Sequence, residues 1–493
     1  MITIYLYIYI YNPGVGKSPL NHGHGLNQAF NKFAYATHYS TMAMASTKIL
    51  EVTHVAPFTA TTHFTLPLTS FDTLWFKFPP VQSLFFYSLP KDTTFFLNSL
   101  LPKLKHSLSL TLQHFLPLAG KLTWPQHSPK PIALYTPGDV VSISVAESNA
   151  DFYTLSSNQP FQASKVRPLV SPLHVSETGV SVMALQITVF PNKGFCIGLT
   201  THHGVGDGKS ATMFIKSWAY LTKENNPPLL PEKLTPFYDR TVIKDPSGFE
   251  MKVLNYWIGN PGSTSSDCRN NPKLFQSESS QSSDLDELYR TIFELSRSDI
   301  DKLRRRVTNP NNLHLSSFVL TYAYMFDCFL KATDGDKTKS KVFLDFAVDY
   351  RNRLTPPVPE NYFGNCVVIK ANYDDMREEE STFTVLVEKV SDLVKSVGKE
   401  KDLQSETEEV ISRIIATSSE NCCHVGVAGS PKLELYSIDF GWGRPKKVVF
   451  VSIENGAISM AECGDGSGGI EVGLVLKKHQ MDLFASIFIN GLN

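Results

Sequence analysis

Between positions 185 and 199 apolar residues occupy every second place. Leu185, Ile187 and Val189 alternate with polar or small residues, and Phe195, Ile197 and Leu199 do so again beyond Pro191-Asn192-Lys193-Gly194. Period-two alternation broken by turn-forming residues predicts a β-hairpin. Past Gly208 the period changes, and Met213, Phe214, Trp218 and Leu221 recur at helical spacing. Further helices are expected over 298–307, with Ser298 as N-cap, and over 315–330, which is almost wholly apolar. Charged amphipathic helices are expected over 378–398 and 406–418. Toward the end, strands over 448–453, 456–462 and 470–476 alternate with Gly-rich turns, and a helix over 479–489 closes the chain.

Pro227, Pro228, Pro231 and Pro236 mark 225–246 as a crossover linker, and the Ser- and Asn-rich stretch 263–283 reads as an exposed loop. No internal repeat is present. Strands and helices mix on both sides of the linker. The expected fold class is therefore α/β, with two similar-sized domains, 48–224 and 247–493, and a cleft between them. Residues 1–47 stand apart. Positions 1–11 are apolar but far short of the roughly 20 residues a bilayer span needs. No basic stretch precedes them, no small-residue cleavage site follows, and no Arg supports organelle targeting. We read 1–47 as a disordered extension or an upstream start included in error, with Met42 or Met44 the more natural beginning.

Composition narrows the function classes. Lys and Arg number 46 against 47 Asp and Glu, so no basic excess points to nucleic acid. The seven cysteines are scattered without a CxxC pair, which argues against a disulfide framework or structural zinc and fits a reducing compartment.

The densest local chemistry is Thr201-His202-His203-Gly204-Val205-Gly206-Asp207-Gly208, where the hairpin ends and the helix begins. Its glycines would permit unusual backbone angles and close ligand approach, and they place His203 on a loop rather than a helix. The same residues allow a core histidine beside a capping Asp, or a zinc site from His202, His203 and Asp207. Adjacent residues at a strand end face opposite ways, which weakens the zinc reading. Gly14-Val15-Gly16-Lys17-Ser18 lacks the first glycine of a phosphate loop, and Gly464, Gly466 and Gly469 read as a hairpin turn rather than a dinucleotide fingerprint. No G-x-S-x-G elbow is present.

His203-xxx-Asp207-Gly208 combined with Asp439-Phe440-Gly441-Trp442-Gly443 resembles the BAHD acyltransferases of plants, which use coenzyme A thioesters. The resemblance extends through 70–87 and 116–122 and covers residues 48–493. Tyr362-Phe363-Gly364-Asn365-Cys366 and Asp349-Tyr350-Arg351-Asn352-Arg353-Leu354 resemble the branch acting on anthocyanins and other flavonoid or phenolic glucosides, often with malonyl-CoA. The resemblance implies a chloramphenicol acetyltransferase-like fold with the active site in a channel between the domains. It implies that His203 is the general base and that Asp207 turns away to pair with an arginine, Arg351 or else Arg353. The loop of Asp439, Gly441, Trp442 and Gly443 would support the site structurally.

A malonyl carboxylate needs a cation, for which Lys209 and Arg351 are candidates. Ser316 and Ser317 are candidates for the CoA 3′-phosphate, and Asn365 for a substrate contact. Cys366 reads as a buried small residue. The expected partners are an acyl-CoA co-substrate and a phenolic glucoside, with no bound cofactor, metal, nucleic acid or membrane, and a monomeric cytoplasmic protein. A hydroxycinnamoyl-CoA donor with another alcohol or an amine acceptor is the rival reading. A catalytically silent binding protein is the alternative of a different class. Deleting residues 1–41 should leave folding and transfer activity intact; a truncated chain that melts much earlier or loses activity would refute the reading of that segment.

Overall fold

The computed structural model describes residues 47–126, 128–224, 229–258, 287–333, 341–372, 382–398, 422–453 and 457–493. The extension before residue 47, the loop over 263–283 and the helix expected over 406–418 lie outside them.

The predicted hairpin is the centre of the first sheet. Met183–Phe190 pairs antiparallel with Gly194–Thr201, and Asn192 takes a φ of 60° in the turn. Both strands are buried at every position. The alternation therefore separates two covered faces rather than a dry face from a wet one. Leu185, Ile187, Ile197 and Leu199 enter the first hydrophobic core. On the other face Gln186 donates to the Pro168 carbonyl at 2.7 Å and Thr200 to the Ser171 carbonyl at 2.7 Å. Buried polar groups on that face are thus satisfied by the chain that crosses it.

Among the described residues the first sheet has six strands, in the order Thr47–Val55, Val141–Ser148, Met183–Phe190, Gly194–Thr201, Val81–Ser88, Lys447–Phe450. The second, among the described residues, has seven, in the order Val367–Asn372, Lys341–Asp349, Cys422–Ala428, Ala457–Glu462, Ile470–Lys477, Leu288–Leu295, Phe161–Gln162. A smaller five-stranded sheet flanks the first core. This is the expected two-domain α/β arrangement of mixed sheets and helices.

The halves trade elements across the expected boundaries. Phe161–Gln162 pairs with Tyr289 and Arg290 of the second sheet, while Lys447–Phe450 returns to pair with Val81–Ser88 in the first. Buried Arg290 fixes that crossing by donating to the carbonyls of Phe450, Val451 and Ile453 at 2.7, 3.1 and 2.6 Å. The helix Phe249–Ile258 packs Leu254 into the first core, although it lies past the linker.

The helix Gly208–Lys223 buries Trp218 in the first core, and its indole N–H reaches the Leu104 carbonyl at 3.1 Å. The long apolar helix runs Ser317–Thr333, capped by Ser316, whose hydroxyl accepts from Val319 N–H at 3.3 Å. It lies under Phe383–Lys395 and the closing helix Lys478–Asn490 in the second core. The helix expected from Ser298 starts earlier, at Arg297, with Ser296 as the cap. Ser296 and Asp299 exchange backbone-to-side-chain bonds of 3.1 Å each, a capping box that leaves Ser298 in the first turn. Gly464, Gly466 and Gly469 lie in the turn between Ala457–Glu462 and Ile470–Lys477, so a strand and not a helix follows them. Among the described residues no helix is long and apolar enough to cross a membrane.

Candidate active site

Strand Gly194–Thr201 ends when His202 N–H donates to the Val182 carbonyl at 2.9 Å and Val205 N–H turns back to the His202 carbonyl at 3.0 Å. His202 is buried, and its Nδ1 accepts from Gly204 N–H at 3.1 Å. The His203 ring instead lies flat on Trp75, with centroids 4.3 Å apart and planes 4° from parallel. Phe78 meets it edge-on at 6.2 Å, and Trp257 lies beyond, 6.4 Å from Phe78. His202, His203 and Asp207 do not converge, and among the described residues no three His, Cys, Asp or Glu side chains gather for a metal.

The glycines of this turn act through space rather than backbone angle. Gly204, Gly206 and Gly208 all lie outside the positive-φ region. A Cβ on Gly204 would stand 3.1 Å from the Phe76 Cα, so a side chain there would push apart the strand end and the segment carrying Trp75.

Asp207 caps the Gly208–Lys223 helix, its Oδ1 accepting from Ser210 N–H at 3.0 Å. The rest of the carboxylate faces the second half of the chain. Arg351 grips it with two bonds, Nη1 to Oδ2 at 2.9 Å and Nη2 to Oδ1 at 3.1 Å. Cys366 N–H adds a fourth at 3.1 Å. Arg351 also donates to Asp349 at 3.1 Å and to the carbonyls of Tyr362 and Gly364 at 3.2 and 3.1 Å. Both partners are buried, whereas Arg353 is exposed. Burial alone would raise the Asp207 pKa, but Arg351 outweighs it and holds the carboxyl below its ordinary value. Burial alone would depress Arg351, and Asp207 reverses that too.

A second buried carboxylate works in parallel. Asp72 closes a capping box with Thr69 through Oδ2, at 2.9 Å from Thr69 N–H and 2.8 Å from its hydroxyl. Its Oδ1 accepts from Asn365 N–H at 2.8 Å and Asn365 Nδ2 at 2.9 Å. Asn365 Nδ2 also donates to the His203 carbonyl at 2.8 Å. Trp75, the platform under His203, donates its indole N–H to the Val367 carbonyl at 3.1 Å. Gly364 takes a φ of 146°, and a Cβ there would fall 2.0 Å from Arg240 Nη1. Residues 362–367 therefore fasten both His203 and the ring beneath it.

His203 is itself tuned by burial, which lowers its pKa; its own backbone, Asp207, Asn365 and Asp72 oppose the shift without cancelling it. The imidazole is neutral near pH 7 and able to accept a proton.

The other expected site residues fall in different places. Asn365 is fully buried, with its Nδ2 shared between Asp72 and the His203 carbonyl. Arg351 is spent on Asp207 and Asp349, which removes it as the cation for a malonyl carboxylate. Lys209 lies partly exposed between Asp349 and Glu360. Ser317 is exposed at the start of its helix, beside the capping Ser316. Burial drives the Cys366 thiol pKa well up, against any role as a nucleophile.

Asp439 accepts from Gly441 and Gly443 N–H at 2.8 and 3.0 Å and from Lys223 at 2.8 Å. Gly441 and Gly443 both take a φ of 99°. Phe440 packs edge-on against Trp218 at 5.1 Å, and Trp442 meets Phe195 at 6.1 Å. Lys223 ends the helix that Asp207 begins, about 24 Å away at 1.5 Å per residue. The Asp439–Gly443 loop braces the first core at the end of that helix remote from His203. Trp75 and Asp72 were missed as site residues; the Thr69-x-x-Asp72 capping spacing was the signal that could have drawn attention to Asp72.

The profile of the Transferase family matches residues 45–489. Phenolic glucoside malonyltransferase 1 of Arabidopsis thaliana is 42% identical over 471 residues, covering 91% of this chain and 98% of that one. Agmatine coumaroyltransferase of the same plant is 38% identical, covering 90% and 98%. The crystal structure of vinorine synthase superposes with a TM-score of 0.67 at 18% identity, covering 90% of this chain and 98% of that one.

Breaking a buried ion pair leaves the surviving charge stranded, at a cost of about 3–5 kcal/mol. Asp207→Ala and Arg351→Ala should each lower the denaturation midpoint substantially, and the double variant should lose less than the sum. Strictly additive losses, read by urea denaturation, would refute the coupling.

Proposed function

The chain belongs to the Transferase family, the acyl-CoA-dependent BAHD acyltransferases, and from that premise we propose that it moves a malonyl group from malonyl-CoA to a sugar hydroxyl of a flavonoid or other phenolic glucoside. The observation that carries the chemistry is the division of labour at the turn: Asp207 is locked to Arg351, while His203 lies neutral on Trp75. The relatives carry the choice of donor and acceptor, since the malonyltransferase match spans almost the whole of both chains.

A sugar hydroxyl is a poor nucleophile at neutral pH. His203 takes its proton as the oxygen attacks the thioester carbonyl, and such help accelerates a reaction by about 10²–10⁴. The tetrahedral oxyanion collapses, the C–S bond breaks, and the CoA thiolate leaves and collects the proton from the imidazolium. No covalent acyl-enzyme forms. Lys209, the partly exposed cation in the first turn of the helix that follows the His203 loop, is assigned to the malonyl carboxylate in exchange for its present carboxylate partners. Ser316 and Ser317, at a helix N-terminus where backbone N–H groups favour anions, are assigned to the CoA 3′-phosphate. The buried free thiols Cys196, Cys328, Cys366 and Cys463 fit a cytoplasmic place of action.

A coumaroyl donor with an amine acceptor is the second reading, favoured by the agmatine coumaroyltransferase match. Purified protein given malonyl-CoA, acetyl-CoA and coumaroyl-CoA against flavonoid glucosides and agmatine should form malonylated glucoside fastest, as read by product mass. A preference for coumaroyl-CoA and agmatine would replace the proposal, and no transfer to any acceptor would favour a silent binding protein.

His203→Ala should lower turnover by about 10²-fold or more. A depressed histidine pKa keeps the base neutral to lower pH than usual. The acid limb of kcat/KM should therefore fall below about 6.5, with activity lost only as pH drops through the lowered value. A limb at or above the ordinary histidine value would contradict the burial effect. Lys209→Ala should raise KM for malonyl-CoA about tenfold and leave acetyl-CoA little changed. Equal effects on both donors would remove Lys209 from the carboxylate site.

A further inference from the structure

A neutral imidazole has one basic nitrogen, and the position of its single proton decides which. His203 Nδ1 is buried and has no hydrogen-bond partner within normal geometry among the described residues. One neighbour shows the complementary deficit. Asn365 Oδ1 is buried and likewise without a partner there. The two residues are already joined, because Asn365 Nδ2 holds the His203 carbonyl at 2.8 Å.

The direction of the Asn365 amide is forced. Nδ2 faces two acceptors, the His203 carbonyl and Asp72 Oδ1, at 2.8 and 2.9 Å. Flipping the amide would set an oxygen against a carboxylate and a carbonyl. Asp72 cannot yield, since it is fully buried, closes the capping box with Thr69, and lies 3.6 Å from Arg240 Nη1. Trp75 fixes the plane of the imidazole from the other side.

We propose that Asn365 is a positioning residue whose Oδ1 accepts the Nδ1 proton of His203, leaving Nε2 as the basic nitrogen, with Asp72 holding the amide in that direction. Asp72, Asn365 and His203 then form a carboxylate–amide–imidazole relay in the place where a triad would put a carboxylate directly on the ring. The amide sets the tautomer without placing a charge in contact with the ring. Asp207 and Asp72 are the charged groups whose fields reach the imidazole; Asp207 is neutralised by Arg351, and Arg240 stands beside Asp72. A neutral acceptor suits a base that must remain unprotonated near pH 7. The raising influence of Asn365 on the His203 pKa agrees with an acceptor at the ring.

The inference rests on His203 being the base, but its test needs no acceptor. Spectra of protein labelled with ¹⁵N-histidine report which ring nitrogen carries the proton, with the His203 signals assigned by their loss in His203→Ala. The wild-type ring should be protonated on Nδ1. Asn365→Ala should give a mixture of tautomers, lower kcat about tenfold or more with malonyl-CoA and a flavonoid glucoside, and leave KM for malonyl-CoA unchanged. Its acid limb should move to lower pH, because an acceptor that favours the imidazolium is gone. Asn365→Asp keeps an oxygen beside Nδ1, so it should retain the Nδ1 proton and move the limb up; it also serves if the alanine variant does not fold.

A wild-type proton on Nε2 overturns the proposal. So does an unchanged tautomer and acid limb in every variant that folds, which would assign Nδ1 to the His203 carbonyl alone. A wrong donor or acceptor would change the rates but not the tautomer.

Discussion

The structure depends on one buried ion pair between its two halves. Moving a carboxylate and a guanidinium out of water costs several kcal/mol each, and their attraction offsets that only when the remaining lone pairs and N–H groups are also satisfied. Here Asp207 accepts four bonds, from Arg351 twice, Ser210 and Cys366. Arg351 spreads its other Nη donors over Asp349 and two carbonyls, and its buried Nε–H has no partner among the described residues. A pair held by this many directed bonds favours one arrangement. It therefore fixes the register of the two halves as well as holding them together.

The site follows from that register. Drawing Arg351 against Asp207 brings residues 362–367 under the hairpin end, where Asn365 meets Asp72 and the His203 carbonyl and Val367 meets Trp75. His203 comes from the first half, and the groups that fix its backbone and its aromatic platform come partly from the second. Neither half alone would hold the imidazole. Gly364 is part of the same constraint, since its positive φ and the nearness of Arg240 leave no room for a side chain.

Much of this was legible in the chain because it is local. Period-two alternation located the hairpin, and the change to helical spacing located the helix after Gly208. The alternation does not say whether the polar face is wet: Gln186 and Thr200 are buried against a crossing segment. The exchanged strands Phe161–Gln162 and Lys447–Phe450 have only distant partners, so no local pattern announces them. The pairing of Asp207 with Arg351 came from family resemblance rather than spacing. A polar residue in a conspicuous motif, such as Asn365, looks available to a substrate, and only the fold shows its Nδ2 shared between Asp72 and the His203 carbonyl. An aromatic in an apolar run, such as Trp75, looks like core, and it is indeed largely buried. Its role comes from what lies on its open face.

The central claim is that Asp207 holds the two halves in register and does not orient His203. Asp207→Asn removes the charge and keeps the shape. The decisive measurement is kcat per folded molecule at saturating malonyl-CoA and flavonoid glucoside, read beside the denaturation midpoint. The account predicts a clearly lowered midpoint with kcat of the folded fraction within a few-fold of wild type. An unchanged midpoint with kcat reduced by about 10⁴, as for loss of an orienting triad carboxylate, would contradict it.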